Sequence, residues 1–219
     1  EISRRADHPL SLRMVVFGGD ALKPPLLRRF REIYPATRLI NMYGITETTV
    51  HVTYLELSDT DLKSHVSNVG RPIPTMRAYI LDSRLNPVPI GIPGELCVSG
   101  EGVGRGYLSN PDLTASRFVP NPFVPGEVLY RSGDLARFYP RGDIEYLGRL
   151  DHQVKIRGHR IELGEIEAAI LSVGQIREAR VMTRDQENGS KQLIAYFVPA
   201  EAVDLQALRQ QLSARLPDY

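Results

Sequence analysis

Residues 70–150 are a succession of short alternating segments separated by glycine and proline, and that texture constrains the fold more than anything else in the chain. "MRAYILD", "GELCVSG", "VLYRSGDL" and "ARFYPRGDIEYLGR" alternate apolar and polar side chains at the period of a strand. The last is a hairpin, because "PRGD" supplies turn chemistry between two alternating arms. Many short strands with such turns imply an antiparallel sheet or open barrel over residues 68–150. "LTASRFVPNPFVPG", among them, reads as a short helix running into a loop.

A different texture lies upstream. "LRMVVFGGDAL" predicts a buried strand, Met14–Phe17, ending in a Gly-Gly turn. "PPLLRRFREIYP" predicts an amphipathic helix with Leu26, Leu27, Phe30 and Ile33 on one face, opened by Pro24 and Pro25 and closed by Pro35. "TRLINMYG" is the next strand. Strand, helix and strand of this length predict a parallel pair within residues 12–56.

A third texture begins at Asp151. "QVKIRGHRIEL" reads as a strand pair around Gly158, and "GEIEAAILSV" as a helix with Ile166, Ala169 and Ile170 inward. "IREARVMTRD" and "KQLIAYFVP" are strands flanking a "QENGS" turn. "DLQALRQQLSARLPDY" is a last amphipathic helix with Leu205, Leu208, Leu212 and Leu216 on one stripe. The expectation is an α/β and β-barrel portion over residues 1–150, followed by a small α+β subdomain over residues 151–219.

The chain of 219 residues is long enough to bury a core. Its net charge of +1 gives no electrostatic argument for a nucleic-acid or membrane partner. No apolar run approaches the ~18 residues of a membrane span, and "EISRRADHPL" lacks the apolar segment of a secretory signal. One cysteine, Cys97, excludes an internal disulfide framework and a cysteine-rich zinc site. It sits in an apolar strand pattern, so it reads as a buried structural thiol in a reducing, cytoplasmic setting.

Candidate chemistry gathers in two segments. In "NMYGITETTVHVTY", residues 41–54, the second half reads as a strand with Val50, Val52 and Tyr54 on one side and His51 and Thr53 on the other. Before it, Gly44 suits a bend. Thr46 offers a hydroxyl to a phosphate, Glu47 a hard oxygen ligand to Mg²⁺, and Tyr43 a ring to a base. The bland alternative is a polar turn capping a hairpin. In "YRSGDLARFYPRGDIEYLGRLDHQVKIRGHRIELGEIE", Asp134 follows a strand: it either caps its own backbone or accepts both hydroxyls of a ribose. Arg149 is either a solvated edge-strand cation or a phosphate or ribose clamp. Asp151 and Lys155 alone read as surface charges. "GEGVGRGY" fails the dinucleotide spacing, since position 105 is Arg105, and its glycines read as turn residues.

The joint order of these motifs resembles adenylate-forming enzymes, and specifically the adenylation domains of nonribosomal peptide synthetases. The matching runs are "VVFGGDAL", "NMYGITETTVHVTY", "GELCVSGEGVGRGYL", "YRSGDLAR", "GDIEYLGRLDHQVKIRGHRIELGEIE" and "LPDY". The resemblance implies that Tyr43 packs on adenine and that Thr46 and Glu47 engage the α-phosphate region and Mg²⁺. It implies that Asp134 binds the ribose hydroxyls and that Arg149 contacts nucleotide, with Gly19, Asn41, Gly44 and Tyr146 completing the nucleotide site. Asp151 matches the hinge on which a small C-terminal subdomain swings.

Two half-reactions are implied. An amino-acid carboxylate attacks the α-phosphorus of MgATP, and a carrier domain's phosphopantetheine thiol then takes the acyl group from aminoacyl-AMP. A peptidyl carrier domain, a condensation domain and an MbtH-like protein are the implied partners, in antibiotic or siderophore biosynthesis. The amino-acid pocket maps onto Val16, Gly18, Met42, Val50 and His51, a combination similar to that of threonine-activating domains. The family's phosphate loop lies upstream of this sequence and its catalytic lysine downstream, so the expectation is a part of the domain that is inactive alone. The alternatives are an acyl-CoA or aryl-acid ligase of the same superfamily, or a non-catalytic docking fragment.

Overall fold

The computed structural model describes residues 10–151, 153–156, 159–186 and 191–219. The chain divides between Leu150 and Asp151 into two compact units.

The first unit opens with β1 (Met14–Phe17), a 3-10 turn at Pro24–Leu27, α1 (Arg28–Ile33) and β2 (Arg38–Asn41). β1 and β2 run parallel, Val16 opposite Ile40. There follow β3 (Thr53–Glu56), β4 (Asn68–Pro72), β5 (Met76–Leu81), β6 (Gly94–Gly100), α2 (Pro111–Arg117), β7 (Phe118–Pro120), β8 (Val128–Phe138) and β9 (Ile144–Arg149). The strands join in the order β1-β2-β3-β4-β9-β8-β6-β5, with β7 on β8. After the parallel β1–β2 pair every pairing is antiparallel. The sheet is therefore mixed α/β at one end and meander-like at the other.

β6 is buried on both faces because its alternate residues serve different cores. Leu96 and Val98 join Tyr43, Val52, Met76, Ile80 and Ile144 in the main cluster. Cys97, between them, packs with Leu81 and Leu129 on the other side. Two polar side chains are drawn in with it: Glu95 is paired to Arg131 at 2.7 Å, and Ser99 donates to Glu127 at 3.0 Å. α1 covers a separate core in which Phe30 and Tyr34 meet Leu39, Leu57 and Leu62.

Four local expectations are corrected. β1 is buried on one face only: Val15 and Phe17 pack against the core that holds Phe30 and Leu39, while Met14 and Val16 on the other face are exposed. Leu26 points to solvent because the Pro-Pro opening winds a 3-10 turn before α1, which shifts the phase of the apolar stripe. Residues 50–52 are not strand; β3 begins at Thr53, because Thr49 and Val50 adopt left-handed φ angles of 55° and 72°. Asp134 lies not in a turn after a strand but within β8, an eleven-residue strand.

The second unit contains β10 (Val154–Ile156) paired with β11 (His159–Ile161), α3 (Leu163–Leu171), β12 (Ile176–Asp185) paired with β13 (Lys191–Pro199), and α4 (Leu205–Ser213). Ile161, Leu163, Ile170, Ile176, Val181 and Leu208 form its core, with Ile166 and Leu212 packed against them. Leu205 is exposed, because it is the first helical residue after the Asp204 cap, and Leu216 falls beyond the end of α4. Gly158, residues 187–190 of the "QENGS" segment and the Lys155 side chain lie outside the described residues.

Burial pushes the Cys97 thiol up to about 12. The native protein should therefore resist a thiol-specific reagent at pH 8 and react fully in denaturant, as read by absorbance of the released chromophore. Rapid labelling of the folded protein would contradict the packing of β6.

Candidate functional site

The site begins with an irregularity in β8. Leu96 of β6 pairs with Asp134, yet the next residue, Cys97, pairs with Arg131, so Ser132 and Gly133 are extra residues on β8. Each is stabilised by its chemistry. Ser132 Oγ donates to the Leu96 carbonyl at 2.5 Å and accepts from Asp134 N at 3.0 Å. Gly133 takes φ +72° and donates to Glu95 Oε1 at 3.1 Å. A bulge of this kind re-aims the side chain that follows it. That side chain is Asp134.

Asp134 is fully buried. Its Oδ2 accepts the Tyr43 hydroxyl at 2.5 Å and its Oδ1 accepts Arg149 Nη1 at 3.1 Å. Arg149 lies directly opposite on β9 and also donates to the Ser132 carbonyl at 3.0 Å. Burial, and then the carboxylate's negative charge, raise the Tyr43 phenol well above its ordinary value, so it remains a hydrogen-bond donor at neutral pH. The Tyr146 ring, also on β9, stands 6.1 Å from that of Tyr43. Asn41 is held at the end of β2 by its bond to the Asn68 carbonyl at 2.7 Å. Tyr43, Asp134, Tyr146 and Arg149 are thus brought together, and neither carboxylate capping nor a solvated arginine describes them.

The loop 43–53 presents a second cluster. It is closed at its base, where Val52 N and Thr53 N both donate to the Tyr43 carbonyl, at 2.7 and 3.0 Å. Within it Thr46–Thr48 form one 3-10 turn. Gly44 can be nothing larger, since a Cβ there would run into the Val50 carbonyl. Glu47 Oε1 accepts the Tyr107 hydroxyl at 2.7 Å, and the Tyr107 and Tyr130 hydroxyls are 3.2 Å apart. Thr46 is exposed beside it. Tyr107, Tyr130 and Ser132 carry no flag in the sequence: tyrosines in strands and loops are common core residues, and only the fold brings them to the carboxylates.

Of the pocket positions, Gly18, Met42 and His51 are neighbours. A Cβ on Gly18 would sit 3.3 Å from the Met42 carbonyl and 3.8 Å from His51 Nε2. Val16 lies on β1 two residues before Gly18, half exposed, and Val50 is exposed on the loop. Gly19 takes φ +89° with nothing within 4 Å of where a Cβ would stand. Asp151 accepts a backbone bond from Gln153 at 3.2 Å and belongs to the second unit.

Comparison with known proteins places these residues in a family. The profile of the AMP-binding enzymes matches residues 2–108. The chain is 51% identical to tyrocidine synthase 3 of Brevibacillus parabrevis over 95% of its own length and 3% of that protein's. It superposes on IdnL1 with a TM-score of 0.83 at 27% identity, covering 100% of this chain and 44% of that one. Holo-PA1221, an NRPS protein with adenylation and PCP domains, gives a TM-score of 0.83 at 31% identity over 92% of this chain and 35% of that one. The chain belongs to the adenylate-forming, AMP-binding enzymes. It corresponds to a segment of a nonribosomal peptide synthetase adenylation domain, and it spans less than half the length of each of these three relatives.

The donor set in this adenylation segment suits the groups such an enzyme handles. Among the described residues no three His, Cys, Asp or Glu side chains gather as a metal cage. Mg²⁺ does not require one, since it is commonly held by one or two carboxylates together with substrate phosphates and water. Glu47 and the neighbouring Thr46 hydroxyl are hard oxygen donors that fit that pattern.

Arg149→Leu removes the buried partner of a buried carboxylate. It should lower stability by about 3–5 kcal/mol in urea denaturation, whereas a loss under ~1 kcal/mol, the value of an exposed pair, would show that the pair is not desolvated.

Proposed function

We propose that this chain supplies the nucleotide-facing part of an amino-acid adenylation site, with threonine as the amino acid. The observation that carries the reading is the clustering of Tyr43, Asp134, Tyr146 and Arg149 at the β8 bulge, beside the loop that displays Thr46 and Glu47.

Each residue has a defined task. Asp134 accepts the ribose hydroxyls, with the Tyr43 hydroxyl yielding its place on Oδ2 as nucleotide enters. Arg149 holds the carboxylate aimed through its bond to Oδ1, and adds positive charge beside the nucleotide. Tyr43 and Tyr146 flank the base, and the uncovered backbone at Gly19 admits close approach. Thr46 donates to phosphate oxygen, and Glu47 holds Mg²⁺, which when bound offsets the charge of the phosphates. Asn41 and Gly44 fix the ends of the bend. These groups position an anion against an anion, and positioning is a large part of the catalytic task.

The threonine assignment rests on His51 Nε2 standing beside the space left by Gly18, next to the Met42 carbonyl, with the apolar side chains of Val16 and Val50 exposed on β1 and on the loop. A histidine aimed into that space can pair a substrate hydroxyl. Transfer of the acyl group to a carrier domain's phosphopantetheine, with Asp151 as the pivot, and work beside a condensation domain and an MbtH-like protein in the cytoplasm, complete the proposal.

In the full-length protein, Tyr43→Ala and Asp134→Ala should each weaken binding of a nonhydrolysable ATP analogue about 10- to 150-fold by calorimetric titration, the scale of a hydrogen bond to a charged group. Unchanged affinity in both variants, with native circular dichroism, would sink the nucleotide reading. In pyrophosphate exchange, threonine should exceed valine by about 100-fold or more, and His51→Ala should erase the difference. Equal rates for the two amino acids would remove threonine and leave adenylation standing.

A further inference from the structure

The segment that follows β6 does more than turn the chain. We propose that Tyr107, at the end of the "GEGVGRGY" loop, is a positioning residue for Glu47, and that it sets how tightly the Glu47 carboxylate holds a divalent cation. The inference rests on the reading of Glu47 as the Mg²⁺ ligand.

The loop is fastened to Glu47 through both backbone and side chain. Gly104 N donates to the Glu47 carbonyl at 2.8 Å, and Thr49 Oγ1 donates to the Gly102 carbonyl at 2.8 Å, so the loop is laced to the 3-10 turn. Tyr107 OH then donates to Glu47 Oε1 at 2.7 Å, sixty positions away in sequence. The phenol is itself restrained. Tyr107 N donates to Thr114 Oγ1 at 2.9 Å, and its ring meets Phe118 edge-on at 5.4 Å. Phe118 in turn packs on Tyr130 at 4.8 Å, whose hydroxyl stands 3.2 Å from that of Tyr107. A glutamate carboxylate swings on a longer stem than an aspartate's, and Mg²⁺ demands near-octahedral oxygen placement. A phenol fixed by aromatic packing removes that freedom before the cation arrives, so less order is lost on binding.

The test uses the full-length protein and Mn²⁺ as the probe. Free Mn²⁺ is read by electron paramagnetic resonance in the presence of a nonhydrolysable ATP analogue, and analogue affinity is read separately in EDTA. Tyr107→Phe keeps the ring and removes the hydroxyl. It should weaken Mn²⁺ uptake about tenfold or more, the scale of one charge-assisted hydrogen bond, while analogue binding in EDTA is unchanged. Glu47→Gln should weaken Mn²⁺ uptake at least as much. Wild-type Mn²⁺ uptake in Tyr107→Phe, with Glu47→Gln impaired, overturns the role of Tyr107 alone. Unaltered Mn²⁺ uptake in Glu47→Gln overturns the metal reading and this inference with it. Equal losses with and without metal in Tyr107→Phe would show a general packing role and also overturn it. Should Tyr107→Phe not fold, Tyr130→Phe carries the same test, with a metal-specific loss of about threefold expected from the second hydroxyl of the chain and no loss overturning the proposal.

Discussion

A fully buried carboxylate must be compensated, and in the first unit that requirement fixes the relation of three distant pieces of chain. Removing a carboxylate from water costs several kcal/mol unless charge and hydrogen bonds replace the solvent. Asp134 obtains both. Its cation comes from the facing strand at Arg149, and its hydroxyl comes from Tyr43, 91 positions earlier. The end of β2, the middle of β8 and the end of β9 are thereby tied at one point. Because the ion pair is dry, its members also resist rotation, and a site built on them is ordered before any ligand approaches.

The bulge and the loop are two answers to one geometric problem, which is how to bring polar groups out of a regular ladder. In β8 the answer is two additional residues, a serine to rebond the backbone and a glycine to accept the left-handed turn. In the loop 43–53 the answer is a closure in which one carbonyl accepts two amides. The cost of the second shows at Val50, a β-branched residue at φ 72°, where such a conformation is rare. Gly44 lies close by, and a Cβ there would collide with the Val50 carbonyl, so the bend requires glycine at that position.

Much of the architecture was legible in the sequence, for identifiable reasons. The parallel β1–β2 pair, the hairpin at "PRGD" and the buried β6 each announced themselves by period and turn chemistry. Within the candidate site, Tyr43, Glu47, Asp134 and Arg149 stood out only through the resemblance of the joined motifs to adenylation domains, since each alone kept a bland reading. Periodicity misled where a local backbone constraint prevailed over it. Val50 and Val52 alternate like a strand, yet left-handed φ angles at Thr49 and Val50 hold that stretch as a bend. Leu26 fits a helical stripe of period 3.6, yet two prolines start the helix at period three. "RSGD" has the composition of a turn, and only pairing on both sides reveals it as a bulge. Tyr107 and Tyr130 could not be found at all, because nothing in a one-dimensional pattern says that a tyrosine sixty positions later will meet Glu47.

A strand that is apolar on both faces, as β6 is, carries an ambiguity that its hydrophobic pattern cannot resolve. Sliding it by one position would exchange Cys97 for Leu96 or Val98, and each cluster would still receive a greasy group of tolerable size. What forbids the slip is polar. Glu95 and Ser99 sit near the two ends of the strand, Glu95 bonded to Arg131 and to Gly133 N and Ser99 to Glu127, and displacement would strand both in hydrocarbon. The register of β6, and with it the placement of Asp134 opposite Leu96, is thus indexed by two buried polar side chains rather than by the oily residues around them.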